Sequence, residues 1–264
     1  MIKTNRESYD YVISLGGSCN VSSQLRHRGL RTCSFPLDWT LMVDERPVRY
    51  LPTAFRTRFG EFCLHGNVFE YEPPAVEFGV VKRRVEDRAT GFRFIHQFHA
   101  PVEDEAAFAR ERSVLSRRID RLYESVARAD NVLFVLSTVF PYDVSLAEDI
   151  LSAAEEAFPS TNIELAAMQF SAERQSAADL CGGRLHVATY QRPVNIVYDN
   201  QLTAPEWSWM DQLSITGLPT PRELRKKRLA TKWKYKLWMW LGRSLEAERA
   251  GCANMRFYKF SRYQ

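Results

Sequence analysis

Apolar runs alternate with a segment of helical periodicity in the second half of the chain. Runs at residues 131–137, 162–168 and 185–190 are mostly apolar, which is typical of strands buried on both faces of a parallel sheet. Residues 144–158 have apolar positions at helical spacing, and we predict a second helix over residues 171–180. This β-α-β-α-β order predicts an α/β fold with a mostly parallel central sheet.

A fourth apolar run, at residues 11–15, predicts another buried strand, which Gly16 and Gly17 end. Apolar residues at helical spacing follow, so we interpret the glycines as a strand-to-helix turn. With this strand included, the predicted fold is a three-layer α/β sandwich. Cys19 stands where the helix begins, beyond the carboxyl end of its strand, and α/β sheets bind ligands at that edge.

The start of this helix suits chemistry at a thiol. The positive end of a helix dipole lowers a cysteine pKa and favours the nucleophilic thiolate, which predicts a reactive Cys19. The backbone N–H groups of Gly16, Gly17, Ser18 and Asn20 are candidates to bind an oxyanion or substrate, and Ser18 or Asn20 can cap the helix. Two alternatives stay open: Cys19 as a small buried hydrophobic residue, and the glycines as only a turn or a phosphate cradle.

An activated thiol needs a base, usually histidine, and a group that orients the base. His96 and His99 end a predicted strand and are the candidate bases, with a structural pair bonded to carbonyls as the alternative. Asp38 lies between apolar neighbours, as either a hydrogen-bond acceptor that staples its loop or the orienting third group. We interpret His27 as solvent-facing and His186 as packed within a strand.

The composition excludes several protein classes. The 264 residues are 45% hydrophobic, enough for a packed core, and no run of about 18 apolar residues predicts a membrane-spanning helix. The first residues lack an apolar signal core, so we expect a cytoplasmic protein. The five cysteines include no C-x-x-C pair, which argues against a zinc ribbon or a disulfide framework, and we predict no metal site.

Three segments resemble a known bacterial family. Residues 14–19 match the S-L-G-x-x-C signature of the family labelled "putative papain-like cysteine peptidases" (domain of unknown function 1796). Residues 36–39 are similar to its P-F-D-W motif, with Leu37 in place of phenylalanine. Residues 94–98 are similar to the aromatic strand that carries the family's His-Asp pair, with Gln97 in place of aspartate.

The resemblance covers roughly residues 9–190 and implies a papain-like cysteine hydrolase with Cys19 as nucleophile, His96 as base and no cofactor. The strand-glycine-helix opening is more loosely similar to SGNH-type esterases, whose nucleophile Ser18 matches, and to capsule-polysaccharide acyltransferases that use coenzyme A thioesters. The implied substrate is a small molecule, a peptide or a glycan. Three functions stay open: a cysteine hydrolase, a glycan O-acyltransferase of surface polysaccharide biosynthesis with an acetyl-coenzyme A type donor, and a non-catalytic binding module.

The C-terminal segment differs from the rest of the chain in charge. Residues 220–264 contain thirteen Lys or Arg and three Asp or Glu, a local charge of +10, so residues 1–219 carry 4 − 10 = −6. We therefore predict an α/β catalytic-type domain over 1–219 and a basic, aromatic helical segment after it. Arg225, Lys226, Lys227 and Arg228 are candidates to bind an anionic membrane surface or a polyanion, with peripheral attachment to the inner face of the membrane. The alternative is a helix that packs its tryptophans on the domain.

Overall fold

The computed structural model describes residues 2–77, 80–171, 176–191 and 205–216. The chain divides into two units, residues 1–220 and 221–264, and every described residue lies in the first. The predicted basic segment therefore lies outside the described residues, together with its candidate anion-binding residues Arg225, Lys226, Lys227 and Arg228. Within the described ranges, no helix combines the length and apolar character needed to cross a bilayer.

The described residues form four α-helices and eleven strands. The helices are α1 (Cys19–Arg28), α2 (Arg46–Arg56), α3 (Glu105–Ala127) and α4 (Val144–Ala157). The strands are β1 (Ser8–Tyr9), β2 (Tyr11–Ser14), β3 (Thr40–Leu41), β4 (Val68–Glu77), β5 (Val80–Asp87), β6 (Arg93–Phe98), β7 (Asn131–Thr138), β8 (Asn162–Ser171), β9 (Ser176–Leu180), β10 (Leu185–Gln191) and β11 (Ser214–Ile215). Short 3-10 helices lie at His65–Asn67, Cys181–Gly183 and Pro205–Gln212.

The central sheet has five strands in the order β2-β7-β8-β10-β9. β2, β7, β8 and β10 are parallel to one another, and β9 is antiparallel to β10 at the edge. Helix α4 makes the crossover from β7 to β8, as the sequence pattern predicts. The predicted α/β fold with a mostly parallel sheet is confirmed.

Side chains alternate between the two faces of this sheet. Ile13, Phe134 and Leu165 are register partners on one face, where they pack with α2, α3 and α4. Leu133 points to the other face and packs with α1 and the 3-10 helix Pro205–Gln212. The sheet therefore lies between two covering layers, which is the predicted three-layer arrangement.

A second, antiparallel sheet carries the candidate histidines. Its four strands have the order β3-β6-β5-β4. In β6, Phe94 pairs with Val85 and Phe98 pairs with Arg83, so four steps along β6 face two steps along β5. The extra residues form a β-bulge, a feature that re-aims side chains. His96 lies inside this bulge and is exposed, between the buried Phe94 and Phe98.

The predicted helix over residues 171–180 is wrong. β8 extends to Ser171, and Ser176–Leu180 form the edge strand β9. Most side chains of β9 are exposed, and its backbone pairs with β10 from Leu185↔Leu180 to Thr189↔Ser176. The alanines here favour a helix by intrinsic propensity, but backbone pairing with a neighbouring strand overrides that weak preference.

Candidate functional site

The turn between β2 and α1 requires its two glycines. Gly16 and Gly17 have φ values of 89° and 104°, in the left-handed region. A Cβ atom on Gly17 would lie 1.4 Å from the carbonyl oxygen of Ser137 in β7. The Gly17 carbonyl also accepts a hydrogen bond from the Met42 N–H at 3.1 Å. The close approach of β7 to this turn therefore fixes the backbone immediately before α1.

The first turn of α1 is capped as the sequence predicts. Ser18 is the N-cap, and its hydroxyl accepts from the Asn20 N–H at 3.2 Å. The Gly16 N–H donates to the Ser14 hydroxyl at 3.1 Å. Two of the four candidate oxyanion donors thus have internal partners. Within the described residues, the Gly17 and Ser18 N–H groups make no hydrogen bond, so they are the better candidates.

Cys19 is the first residue of α1 and is half-buried. Burial raises the pKa of the Cys19 thiol to about 11, against a smaller lowering by the Cys19 backbone N–H. No histidine is among the groups that shift this pKa. The predicted low pKa is therefore wrong for this structure, because burial destabilises the thiolate by more than the Cys19 backbone N–H stabilises it.

Asp38 connects the loop that precedes β3 to helix α1. Its buried carboxylate accepts from the Ser22 hydroxyl at 3.2 Å, the Arg31 Nε at 2.9 Å and the Phe35 N–H at 3.0 Å. Ser22 lies three residues after Cys19, on the same side of α1. These partners are a hydroxyl, a guanidinium and a backbone amide rather than a histidine, so Asp38 holds the loop against the face of α1 that carries Cys19.

The two candidate bases lie in different surroundings. His96 contacts Trp39 edge to face, with ring centroids 6.3 Å apart and planes at 86°. Trp39 directly follows Asp38, so His96 lies beside the loop that Asp38 holds on α1. The His99 Nδ1 atom instead lies 3.1 Å from the Val81 carbonyl oxygen, and the backbone N–H of His99 donates to the Glu111 carboxylate at 2.9 Å. Of the two histidines, His96 is the one that contacts the loop held on α1.

A charged network lies at the opposite end of the central sheet, where the sequence indicates only a packed histidine. His186 is buried between two carboxylates, with Nδ1 2.8 Å from Asp179 and Nε2 3.0 Å from Glu164. The buried Glu164 also accepts from the Tyr9 hydroxyl at 2.9 Å and from Arg6 at 2.7 Å. Burial lowers the pKa of His186, but its hydrogen bonds with Glu164 and Asp179 outweigh burial and raise it above its ordinary value.

This network lies near the amino ends of β8 and β10, whereas Cys19 follows the carboxyl end of the parallel strand β2. A cavity of about 580 Å³, lined partly by Arg6, Glu155 and Arg184, opens at the same amino end. Neither the network nor the cavity therefore belongs to the thiol site. Within the described residues, no group of three or more His, Cys, Asp or Glu side chains is arranged to hold a metal ion.

Comparison with known proteins places the chain in a family. No curated protein and no solved structure matches the chain. A family model described as "Putative papain-like cysteine peptidase (DUF1796)" matches residues 10–168, more than half of the chain. That span contains the glycine turn, Cys19, Asp38 and His96, and the description indicates a cysteine-dependent hydrolase or transferase. The chain belongs to this family of "putative papain-like cysteine peptidases", DUF1796.

Proposed function

We propose that the protein is an acyl-transfer enzyme in which Cys19 is the nucleophile and His96 its base. The observation that carries the proposal is the position of Cys19. It is the first residue of α1, beyond the carboxyl end of a parallel strand, and the two glycines before it are held against β7. This edge of an α/β sheet is where such folds bind ligands, and the family match includes it.

A chain of contacts supports His96 as the base. Cys19, Ser22 and Arg26 recur at three- and four-residue spacing, so they share one side of α1. Ser22 binds Asp38, Arg26 lies over the Trp39 ring, and Trp39 contacts His96. The β-bulge in β6 leaves His96 exposed next to Trp39. Histidine is the usual partner of a nucleophilic thiol.

The reaction begins with the proton on sulfur, because burial keeps the pKa of Cys19 at about 11. His96 takes that proton as the sulfur attacks the carbonyl carbon of an ester, thioester or amide, and a C–S bond forms. The Gly17 and Ser18 N–H groups donate to the oxyanion. The intermediate then expels the leaving group, which receives the proton from His96, and acyl-Cys19 remains. Water or an acceptor hydroxyl attacks the acyl carbon, returns a proton to sulfur through His96 and frees the enzyme.

The same acyl-Cys19 serves a hydrolase and an acyltransferase, so the acceptor distinguishes the two. A peptidase or esterase passes the acyl group to water and needs no cofactor. A glycan O-acyltransferase draws it from a thioester such as acetyl-coenzyme A and passes it to a sugar hydroxyl. Comparing acyl-Cys19 turnover with and without a sugar acceptor therefore separates them.

The test is acylation by p-nitrophenyl acetate, followed by nitrophenol release and by mass spectrometry of peptides. We expect an acetyl group on Cys19 in the native protein and none in Cys19→Ala. His96→Ala should slow acylation by about 100-fold or more, the usual contribution of a positioned base. His99→Ala is the matched control and should react at the native rate. An acetyl group confined to Cys33 or Cys181, or an unchanged rate in Cys19→Ala, would show that Cys19 is not the nucleophile and favour a non-catalytic binding module.

A further inference from the structure

Four arginines from three segments of the chain lie around Trp39 and the loop before it. We call Arg26, Arg31, Arg118 and Arg121 the arginine cluster. The guanidinium carbon of Arg26 lies 5.6 Å from the Trp39 ring centroid and that of Arg31 lies 5.2 Å from it. Such stacking fixes the guanidinium plane while leaving its N–H edges able to donate.

The other two members come from helix α3. Arg121 donates to the Ser34 carbonyl at 2.8 Å, and Arg31 donates to the Ser34 hydroxyl at 2.7 Å, so these two guanidinium groups share one neighbour. Arg118 donates to the Gln97 side chain at 2.9 Å, next to His96. Through Trp39, Ser34 and Gln97, these contacts connect all four arginines to the loop and to the strand that carries His96.

The cluster holds more positive charge than its surroundings compensate. Burial lowers the pKa of Arg118, and the nearby charges of Arg31 and Arg121 lower it further, while Asp38 opposes them. Asp38 is the carboxylate that pairs with Arg31. Among the described residues, the charges that act on Arg118 are those of Arg31, Arg121 and Asp38, so these three arginines and one carboxylate carry a net 3 − 1 = +2. Like charges kept this close are costly unless an anion joins them.

From this geometry we infer that the arginine cluster binds a phosphate group of a small-molecule ligand. A phosphate carries nearly two negative charges and several acceptor oxygens, which suits several neighbouring guanidinium donors better than a single carboxylate does. Arg26 lies seven residues after Cys19 on the same side of α1, roughly 10 Å along the helix axis. A ligand bound at the cluster can therefore extend to the thiol. That this ligand is the acyl donor rests on the proposed function, but the binding site does not.

Titration of the full-length protein with pyrophosphate at low salt, followed by calorimetry, tests the inference. Arg118→Gln and Arg26→Gln should each weaken binding by about tenfold, since each removes charge-assisted hydrogen bonds. Arg117→Gln is the matched control. It removes the same charge one residue away on α3, where Arg117 is exposed and donates to Ser113, and it should change binding by less than about twofold. The basic residues after position 220 are identical in all variants, so their contribution cancels in the comparison.

Several outcomes would overturn the inference. These are absent pyrophosphate binding, equal losses in Arg117→Gln and Arg118→Gln, or tighter binding of a dicarboxylate such as glutarate. An oligonucleotide that binds much more tightly than pyrophosphate, and depends on Arg118, would identify a polyanion surface instead. Circular dichroism and thermal unfolding of each variant exclude a folding defect, and Arg26→Gln, at an exposed position, covers the case in which Arg118→Gln fails to fold. Cys19→Ala should bind pyrophosphate as the native protein does, so failure of the acyl-transfer proposal is distinguishable from failure of this one.

Discussion

Each end of the central sheet holds a titratable side chain, the half-buried Cys19 at one end and the buried His186 at the other. One end favours the neutral form of its side chain and the other favours the charged form. At the carboxyl end, burial raises the pKa of Cys19 to about 11, so the thiol stays neutral. At the amino end, hydrogen bonds with Glu164 and Asp179 raise the pKa of His186 despite burial, so the imidazolium is favoured. Burial alone does not decide whether a group is charged, because the fixed partners around it decide too.

The two side chains also differ in role: His186 stabilises the sheet, whereas Cys19 is the proposed nucleophile. His186 has both ring nitrogens bonded, so it holds β10 against β9 and β8 and has no proton site left for a substrate. Cys19 has a neutral thiol on a backbone held by close packing, and the proposed base, His96, contacts Trp39 edge to face. A nucleophile that becomes reactive only when substrate and base are both present is protected from unwanted alkylation and oxidation.

The largest effect should come from Gly17→Ala at the carboxyl end. The new methyl group would overlap the Ser137 carbonyl oxygen, 1.4 Å from the position of Cβ, at a φ of 104°. We expect a loss of about 4 kcal/mol in the free energy of unfolding, because the turn or β7 must move. Denaturant unfolding followed by circular dichroism measures this loss. Acetylation of Cys19 should fall with it, since α1 begins at the displaced turn.

Gly66→Ala is the matched control, because a Cβ atom at this position would have no atom within 4 Å other than those of Gly66 and its two chain neighbours. It should change the unfolding free energy by less than about 0.5 kcal/mol. Equal stabilities of the Gly17 and Gly66 variants would show that the turn is not held tightly by β7, and the comparison between the two ends would lose its geometric basis.

At the amino end, Glu164→Gln should destabilise the protein by about 3 kcal/mol. It removes the buried negative charge that faces His186 and Arg6, which leaves Arg6 without its carboxylate and His186 with Asp179 as its one carboxylate partner. Because His186 has a raised pKa, its contribution to native stability is fully present below about pH 6.5 and is lost as pH rises through the raised value. Unfolding free energies measured across this pH range should therefore decline with pH in the native protein and decline less in Glu164→Gln.

The exposed pair of Arg56 and Glu156 supplies the control. Glu156→Gln should cost less than about 1 kcal/mol, because exposed ion pairs are screened by water. The pH dependence of the unfolding free energy is also measured in His27→Gln and His96→Ala, and the contributions of these two histidines are subtracted. If the remaining stability rises with pH between 6 and 8, His186 is neutral in the folded protein. Burial would then favour the neutral form at both ends of the sheet.

The contrast also marks what the sequence can predict. The run at 131–137 predicts β7 correctly because it is apolar on both faces, and the Gly16–Gly17 pair predicts the turn because few other residues tolerate positive φ. The position of Cys19 at a helix start is likewise local information. The degree to which it is buried depends on segments far along the chain, so the sign of its pKa shift could not be predicted.

The sequence does not predict the network around His186, because it predicts a helix where the structure has the edge strand β9. A helix over residues 171–180 leaves Asp179 without a fixed neighbour, whereas the edge strand β9 places Asp179 directly opposite His186 in register. Glu164 and its N-terminal partners Arg6 and Tyr9 are more than 150 positions apart in sequence. A local sequence pattern cannot predict contacts between residues so far apart. The one indication in the sequence is Glu164, an acidic residue inside an otherwise apolar strand.

The smallest expected effect is a difference in alkylation rates among the thiols. In the ligand-free protein, iodoacetamide should modify the exposed Cys181 before the half-buried Cys19, and the buried Cys63 last. With a pKa of about 11, Cys19 holds little thiolate near neutral pH, so its rate should be at least about tenfold below that of Cys181 and should rise up to high pH. Labelling followed by peptide mass spectrometry across a pH series measures each rate, and urea-unfolded protein, in which all cysteines react alike, is the control. If Cys19 reacts first with an apparent pKa below about 8.5, the helix N-terminus and His96 already stabilise its thiolate without substrate. The two ends of the sheet would then both favour the charged form, and the contrast drawn between them would fail.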